Sequence, residues 1–281
     1  MIIHEVKEGE TLQSIAIEYG VSVQRLVQIN GIDHPEYLVP GLTIIILYSD
    51  QVHIVQEGDS LASIAEDYNI SIKELLRNNP FLPNREYIYP GEELVIHFDV
   101  NRAKSITVNG YAYPHIDPSV LRKTLPYLTY LTIFHYQINS DGSIDEVGDL
   151  PIIQMSKMYG VAPIMLLSPL GKNMTYDETE IHDLLNDQEA QNILIDNALS
   201  ILKAKGFYGL TLDFPYVSPR DRQRFMDLVE SMTNRLNREG FIMNINISPT
   251  TFEVQSGLIF SGIDYPKLGE ITDGTILLSY Q

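Results

Sequence analysis

The apolar positions in the first hundred residues repeat with a helical rhythm set between short strands. Leu12, Ile15, Ala16 and Tyr19 fall three to four apart, and Leu61, Ile64, Ala65 and Tyr68 repeat that spacing, the signature of one buried helix face. Thr11 and Ser60 stand just ahead as N-caps. A short β run such as Val52 to Val55 precedes each helix and ends at a glycine suited to a tight turn. Ser22 and Ser71 open a second helix carrying Leu26 or Leu75. Asn30 and Asn79 are expected to close it, since Asn tolerates the left-handed conformation of a helix C-terminus. Pro40-Gly41 and Pro90-Gly91 then turn the chain into a closing strand, Thr43 to Leu47 or Glu93 to Phe98. The order is β-α-α-β, with outer strands able to pair.

These units are copies of one another. Val6 to Ala16 recurs as Val55 to Ala65 at an offset of 49, and the match runs on through Tyr19/Tyr68, Ser22/Ser71, Leu26/Leu75 and Asn30/Asn79. With one residue inserted it reaches the two Pro-Gly pairs. The expected modules span residues 2–48 and 51–98.

From about residue 101 to 281 the pattern changes. Apolar, β-branched runs at Ser105–Tyr113, Tyr130–Gln137, Ala162–Ser168, Gly209–Tyr216, Phe241–Ser248 and Gly274–Ser279 read as strands. Helical stretches alternate with them around Pro118–Leu125, Leu150–Tyr159, Asp177–Leu185, Glu189–Ala204 and Pro219–Arg238. That alternation predicts an α/β fold, a parallel sheet with helices outside. A complete (β/α)8 barrel has eight strands and typically about 250 residues. Six units therefore mean either an open sheet or an incomplete TIM-type barrel. In the second case the first and sixth strands are edges, and the apolar Thr275-Ile276-Leu277-Leu278 is expected to self-associate or to be covered by a partner.

Charge narrows the partners. With 37 acidic and 19 basic side chains the net charge is −18, which excludes a phosphate-reading surface and docking on an anionic membrane. A weakly charged glycan, recognised by short-range hydrogen bonds and stacking, remains compatible. There is no cysteine, so thiol chemistry and disulfides are excluded, and the seven histidines show no ligand spacing. No metal and no cofactor are expected. Nothing is long and apolar enough to span a membrane, and Met1 to Lys7 has no secretory-signal pattern. The expectation is synthesis in the cytoplasm.

Gly-Glu/Asp-Thr/Ser-Leu, the Ile-Ala and Tyr of the first helix, the Asn ending the second and Pro-Gly before an apolar strand resemble the LysM module. The resemblance implies binding of polymers containing N-acetylglucosamine, peptidoglycan or chitin, in a shallow groove between two loops. Carried onto this chain, the loops are Gly9, Glu10, Thr11 and Leu12 with Asn30, Gly31 and Ile32. In the second copy they are Gly58, Asp59, Ser60 and Leu61 with Asn79, Pro80 and Phe81. Capping alone accounts for Thr11, Ser60, Asn30 and Asn79 equally well.

Lys205-Gly206-Phe207-Tyr208-Gly209-Leu210-Thr211-Leu212-Asp213-Phe214-Pro215-Tyr216 resembles the fourth strand of glycoside hydrolase family 18. LysM modules followed by such a domain are similar to the spore cortex-lytic N-acetylglucosaminidases of endospore-forming bacteria, which implies association with the spore and synthesis in the mother cell. The family motif there is Asp-x-x-Asp-x-Asp-x-Glu. Its Glu protonates the glycosidic oxygen while the substrate's acetamido group attacks the anomeric carbon. Here the four positions read Tyr208, Thr211, Asp213 and Pro215. Asp213 keeps the orienting carboxylate, but Pro215 has no proton to give, and general acid catalysis contributes about 10²–10⁴-fold. Tyr280 matches the family's acetamido-contacting Tyr, whereas Gln281 replaces an acidic residue. There is no Trp to form a sugar platform, which the 17 Tyr replace only partly. Asp177, Glu178 and Glu253 are the remaining candidates for a displaced acid. His135 is expected to be a strand residue with a local hydrogen bond. Three readings stay open: a non-hydrolytic wall-binding protein, a weakly active glycosidase using another acid, and a relic with a poorly folded C-terminal part.

Overall fold

The computed structural model describes residues 1–32, 34–84, 87–99, 104–171, 175–214, 217–247 and 265–279. The chain forms two compact units, residues 1–107 with 117–127, and residues 108–116 with 128–281.

In the first unit, β1 (Ile2–Glu5), α1 (Leu12–Tyr19), α2 (Val23–Asn30) and β2 (Thr43–Ile46) make one βααβ module. Strands β1 and β2 pair antiparallel from Ile2↔Ile46 to Glu5↔Thr43. The second module repeats the plan with β3 (Ser49–Ile54), α3 (Leu61–Asp67), α4 (Ile72–Asn78) and β4 (Glu93–Phe98), β3 and β4 pairing antiparallel. The expected faces form the cores. Val6, Leu12, Ile15, Ala16, Leu26, Ile44 and Ile46 are buried together, and Ile64, Ala65, Leu75, Leu94 and Ile96 are buried in the copy. Capping is nearly identical in the two. Thr11 and Ser60 each accept the third amide of their helix, and Ser14 and Ser63 bond back, a capping box built with Ser in place of Glu. Ser22 and Ser71 cap α2 and α4.

The helix ends differ from expectation. Neither asparagine adopts the left-handed conformation: Asn30 is the last residue of α2 and Gly31 takes φ 60°, while Asn79 sits at φ −132°. Each Asn amide has a different task. The Asn30 amide donates to Leu26 O (3.0 Å) and Ile45 O (2.9 Å) and accepts from Ile45 N (2.7 Å). Asn79 does the same with Leu75 O, Val95 O and Val95 N at 2.9, 2.8 and 2.8 Å. The side chain thus fastens the helix end to the closing strand, satisfying backbone groups that a helix terminus leaves open. Between the modules Tyr48 Oη donates to Tyr19 O at 3.1 Å, and Arg25 donates to Ser49 Oγ at 2.6 Å and pairs with Glu93.

Helix α5 (Pro118–Thr124), capped by Asp117, clusters with this first unit. It packs against a 3₁₀ turn at Leu82–Asn84, and the turn that follows it, Leu125–Tyr127, packs against α4.

The second unit begins with β5 (Asn109–Ala112) and continues through β6 (Tyr130–Ile138), β7 (Ile144–Asp145), α6 (Leu150–Met158), β8 (Ala162–Ser168), α7 (Glu178–Asn186), α8 (Gln188–Lys205), β9 (Gly209–Leu212), α9 (Arg222–Arg238), β10 (Ile242–Ile247), α10 (Tyr265–Ile271) and β11 (Gly274–Leu277). Among the described residues the sheet order is β5-β6-β8-β9-β10-β11, every neighbouring pair parallel, with the short β7 antiparallel on β6. It is a curled parallel half-barrel, and β5 and β11 lie at its two ends. The short β7 hairpin arm and α10 had no clear apolar signal in the sequence. The expected helix at 219 opens as a 3₁₀ turn, Pro219–Asp221, and becomes α-helical at Arg222.

Register fixes the inner face. Tyr111 pairs with Thr132, Ile164 with Gly209, Leu166 with Thr211, Thr211 with Asn244 and Asn246 with Ile276. Side chains aligned across parallel strands share a face, and alternate residues of a strand return to it. Asn109, Tyr111, Thr132, Thr211, Asp213, Asn244 and Asn246 therefore line the concave side, a polar set for a barrel interior. The opposite face carries a buried network. Tyr136 Oη donates to Asp149 Oδ2 at 2.6 Å, and Lys205 Nζ reaches Tyr136 Oη (2.7 Å), Val147 O (3.0 Å) and Asp149 Oδ1 (2.9 Å). It ties the C-terminus of α8 to β6 and to the start of α6.

Candidate functional site

Two places hold the residues singled out by the sequence: the loops of the first unit and the C-terminal ends of the half-barrel strands. In the first module the β1–α1 loop turns at Gly9, whose φ of 80° no β-carbon blocks but which L side chains rarely adopt. The carboxylate of Glu10 accepts Lys7 N at 2.7 Å and faces His4 Nε2 at 2.9 Å; His4 Nδ1 meets Tyr19 Oη at 3.1 Å. The copy repeats this with Asp59 on Gln56 N (2.7 Å) and His53 Nε2 (2.8 Å), and His53 Nδ1 on Tyr68 Oη (3.2 Å). The backbone bond from Lys7, then His4, holds the Glu10 carboxyl below its ordinary range, and Gln56 with His53 does the same for Asp59. Leu12 is buried, and Ile32 packs half-buried on the core. Gly9, Thr11 and Gly31 are exposed, as are Gly58 and Ser60, while Leu61, Pro80 and Phe81 are half-buried.

The loops thus keep Gly9/Gly58, Thr11/Ser60 and Gly31 on the surface, while the side chains of Glu10, Asp59, Asn30 and Asn79 are engaged inside the modules. Sequence reasoning passed over three exposed rings on the loops that lead to the closing strands. Tyr37 is 77 % exposed, and Tyr87 and Tyr89 are 69 % and 59 % exposed. Tyr37 and Tyr87 correspond once the single inserted residue is counted, a signal present in the repeat itself.

In the half-barrel, Asp213 follows β9 with its amide on Leu167 O at 2.9 Å. Burial pushes its carboxyl above the ordinary range, opposed by a hydrogen bond from Asn246 and by the nearby His135. Asn246 accepts from Tyr111 Oη at 2.8 Å, so a Tyr–Asn–Asp chain crosses the concave face. His135 Nε2 lies 3.0 Å from Leu170 O and donates to it, a bond to the loop after β8 rather than to its own strand. Beside it Phe134 packs on Tyr111 and Tyr113 with centroids 5.8 and 4.9 Å apart, and Tyr113 stacks on His115. Asp177 caps α7 by accepting Thr179 N at 2.8 Å. Glu178, in the first turn of α7, faces Arg220 at 3.9 Å across the surface. Pro215, Tyr280, Gln281 and Glu253 lie outside the described residues.

Comparison with known proteins assigns the class first. Residues 4–47 and 53–97 each match the LysM domain, so the first unit carries two LysM domains, and the second is an incomplete TIM-type barrel. The chain is homologous over its whole length to spore cortex-lytic enzymes. It is 31 % identical over 287 residues to the cortical fragment-lytic enzyme of Bacillus subtilis, covering 100 % of this chain and 66 % of that protein. The crystal structure of the Bacillus cereus spore cortex-lytic enzyme SleL matches at a TM-score of 0.73 with 26 % identity, over 99 % of this chain and 65 % of that one. A class V chitinase from Pseudomonas fluorescens shares the fold at a TM-score of 0.57 and 22 % identity, over 63 % of this chain and 54 % of its own. The chain thus spans just under two thirds of the relatives it matches along its whole length.

Proposed function

We propose that this chain attaches to N-acetylglucosamine-containing cell-wall glycan, the peptidoglycan of the spore cortex, through its two LysM domains, and that its half-barrel does not hydrolyse that glycan. The observation that carries the first part is the duplication of one loop geometry, down to the same caps and the same carboxylate contacts, in two adjacent domains. Two weak sites on one body add avidity without new contacts. The net charge of −18 suits a weakly charged polymer. Tyr37 and Tyr87 offer ring faces on which a sugar can stack.

The second part rests on Pro215 standing at the position of the family's acid. A glycosidic oxygen leaves poorly without a proton donor. One observation favours a second reading: the Asp213 carboxyl follows β9 on the concave face beside Asn246 and His135, with burial pushing it above the ordinary carboxylate range. That reading is a weak glycosidase acting through Asp213.

The test uses the full chain, with Tyr37→Ala/Tyr87→Ala, Pro215→Glu and Asp213→Asn variants, on purified spore cortex peptidoglycan. The expected result is co-sedimentation of the native chain, weakened about thirtyfold by loss of both rings (stacking contributes on the order of 1 kcal/mol per ring), with no reducing ends released. Reducing ends released by the native chain and abolished in Asp213→Asn would establish the second reading instead.

A further inference from the structure

The His–carboxylate–Tyr arrangement recurs in both LysM domains although much around it has diverged. Between the copies Lys7 has become Gln56, Thr11 has become Ser60, Gly31 has become Pro80 and Ile32 has become Phe81. Even the acid differs by one methylene, Glu10 against Asp59. Yet the carboxylate oxygen reaches the backbone amide at 2.7 Å in both, and the imidazole at 2.9 and 2.8 Å. Both rings lie edge-on to a tyrosine, with centroids 5.4 and 5.6 Å apart. A geometry held through a change of acid length marks the contact itself as the retained feature.

The contact has a specific mechanical effect. His4 is buried on β1 and His53 is largely buried on β3, and each holds an acid that in turn clamps the second amide after its strand, Lys7 N or Gln56 N, in the loop leading to the helix cap. The turn from Lys7 to Glu10, closed by Glu10 N on Lys7 O at 3.2 Å, is thereby locked from inside. The loop then presents Gly9 and Thr11 outward in one conformation.

We propose that His4 with Glu10 and His53 with Asp59 are positioning groups for glycan binding, each pair setting the shape of the strand-to-helix loop that meets the sugar. This rests on the reading that the LysM loops bind glycan. A preorganised loop does not lose conformational freedom when ligand arrives, so the gain appears as affinity. Protonation of the acid removes a charge-assisted bond to the amide and to the imidazole. Other charged and titratable groups around the pairs are Lys7, near Glu10, and Glu18 and Tyr48, near Tyr19. Because both acids titrate below the ordinary carboxylate range, the lock is intact at neutral pH and opens only as pH falls through those lowered values.

The test is binding of the full chain to an N-acetylglucosamine hexasaccharide, an uncharged probe whose own titration cannot contribute. Native protein, Glu10→Gln/Asp59→Gln and the exchange Glu10→Asp/Asp59→Glu are compared from neutral pH into the carboxylate range. The native chain is expected to lose affinity on acidification. The double Gln variant should bind about tenfold more weakly at neutral pH, the scale of a charge-assisted hydrogen bond, with no acid limb. The exchange variant should keep both native affinity and native pH profile. A folded double Gln variant with native affinity and native acid limb overturns the proposal and leaves glycan binding standing. No binding by the native chain overturns both. If the Gln variant does not fold, nuclear magnetic resonance of the native chain decides: the Gly9, Thr11, Gly58 and Ser60 amides should move with the acid titration, and their indifference to it overturns the proposal.

Discussion

Replacing Lys205 by Met should cost the second unit about 3–5 kcal/mol, because it strands a buried charge. Asp149 is fully buried, and its carboxylate is balanced by Lys205 Nζ at 2.9 Å and by Tyr136 Oη at 2.6 Å. Lys205 Nζ also takes Tyr136 Oη and Val147 O, lies 4.9 Å from the centre of the Tyr136 ring and faces Glu146 at 3.1 Å. Met keeps most of the stem volume, so the loss isolates the ammonium rather than packing. Removing one partner of a buried pair is costly, whereas replacing both by neutral groups is far less so. The double variant Lys205→Met/Asp149→Asn should therefore recover about 1–3 kcal/mol, a coupling typical of residues in one network. Urea denaturation followed by far-ultraviolet dichroism reads this out, urea being chosen because guanidinium screens charge. A single variant less than 1 kcal/mol below native, or a double variant as unstable as the sum of the two singles, would refute the reasoning.

Further outcomes follow from other buried groups. Asp213 has a folded pKa raised mainly by burial, so its contribution is favourable below the unfolded carboxylate value and is lost as pH rises through the folded one. Asp213→Asn should accordingly raise the melting temperature at pH 7, with the gain vanishing below about pH 4; an equal shift at both pH values contradicts this. Thr211 is fully buried and its hydroxyl has no partner among the described residues. Thr211→Val should be neutral or stabilising by up to about 1–3 kcal/mol in thermal melts, since it removes an unsatisfied group while keeping the shape; a clear loss would mean the hydroxyl is satisfied.

The sequence made the architecture legible wherever periodicity and punctuation agreed. The two LysM cores, their Thr11 and Ser60 caps and the strand Ala162–Ser168 stand where the pattern puts them. Shorter elements escaped because they carry too few residues for a period: β7 has only two. The tasks of the asparagines differ from what local propensity indicates, for a physical reason. Local propensity favours Asn in a left-handed cap, but Gly31 follows immediately and takes that conformation, freeing the Asn30 amide to bridge to β2. The His–carboxylate pairs escaped as well, because a strand residue, a loop residue and a helix residue are brought together at separations of 6 and 15 that match no regular face. Only the repeat makes His4 and His53 visible beforehand. In the half-barrel the Tyr111–Asn246–Asp213 chain was beyond sequence reasoning, because it depends on strand register across 135 residues.

Helix α5 bears on how these LysM domains can be used outside their own protein. Leu121 and Leu125 are buried to within 3 % and 0 % exposure, and the helix and its following turn cover the 3₁₀ turn at Leu82–Asn84 and α4 of the second domain. Two such leucines represent roughly 3–6 kcal/mol of burial, comparable with the whole margin of a small domain. A fragment cut near residue 100 would therefore not be a portable affinity tag: it would carry the second domain with an open apolar scar. Grafting the pair onto a foreign scaffold requires that residues 117–127 travel too, joined by a new linker or supplied as a separate peptide. Recovery of a soluble, cooperative fold on adding that peptide would turn an apparent surface helix into a transplantable part.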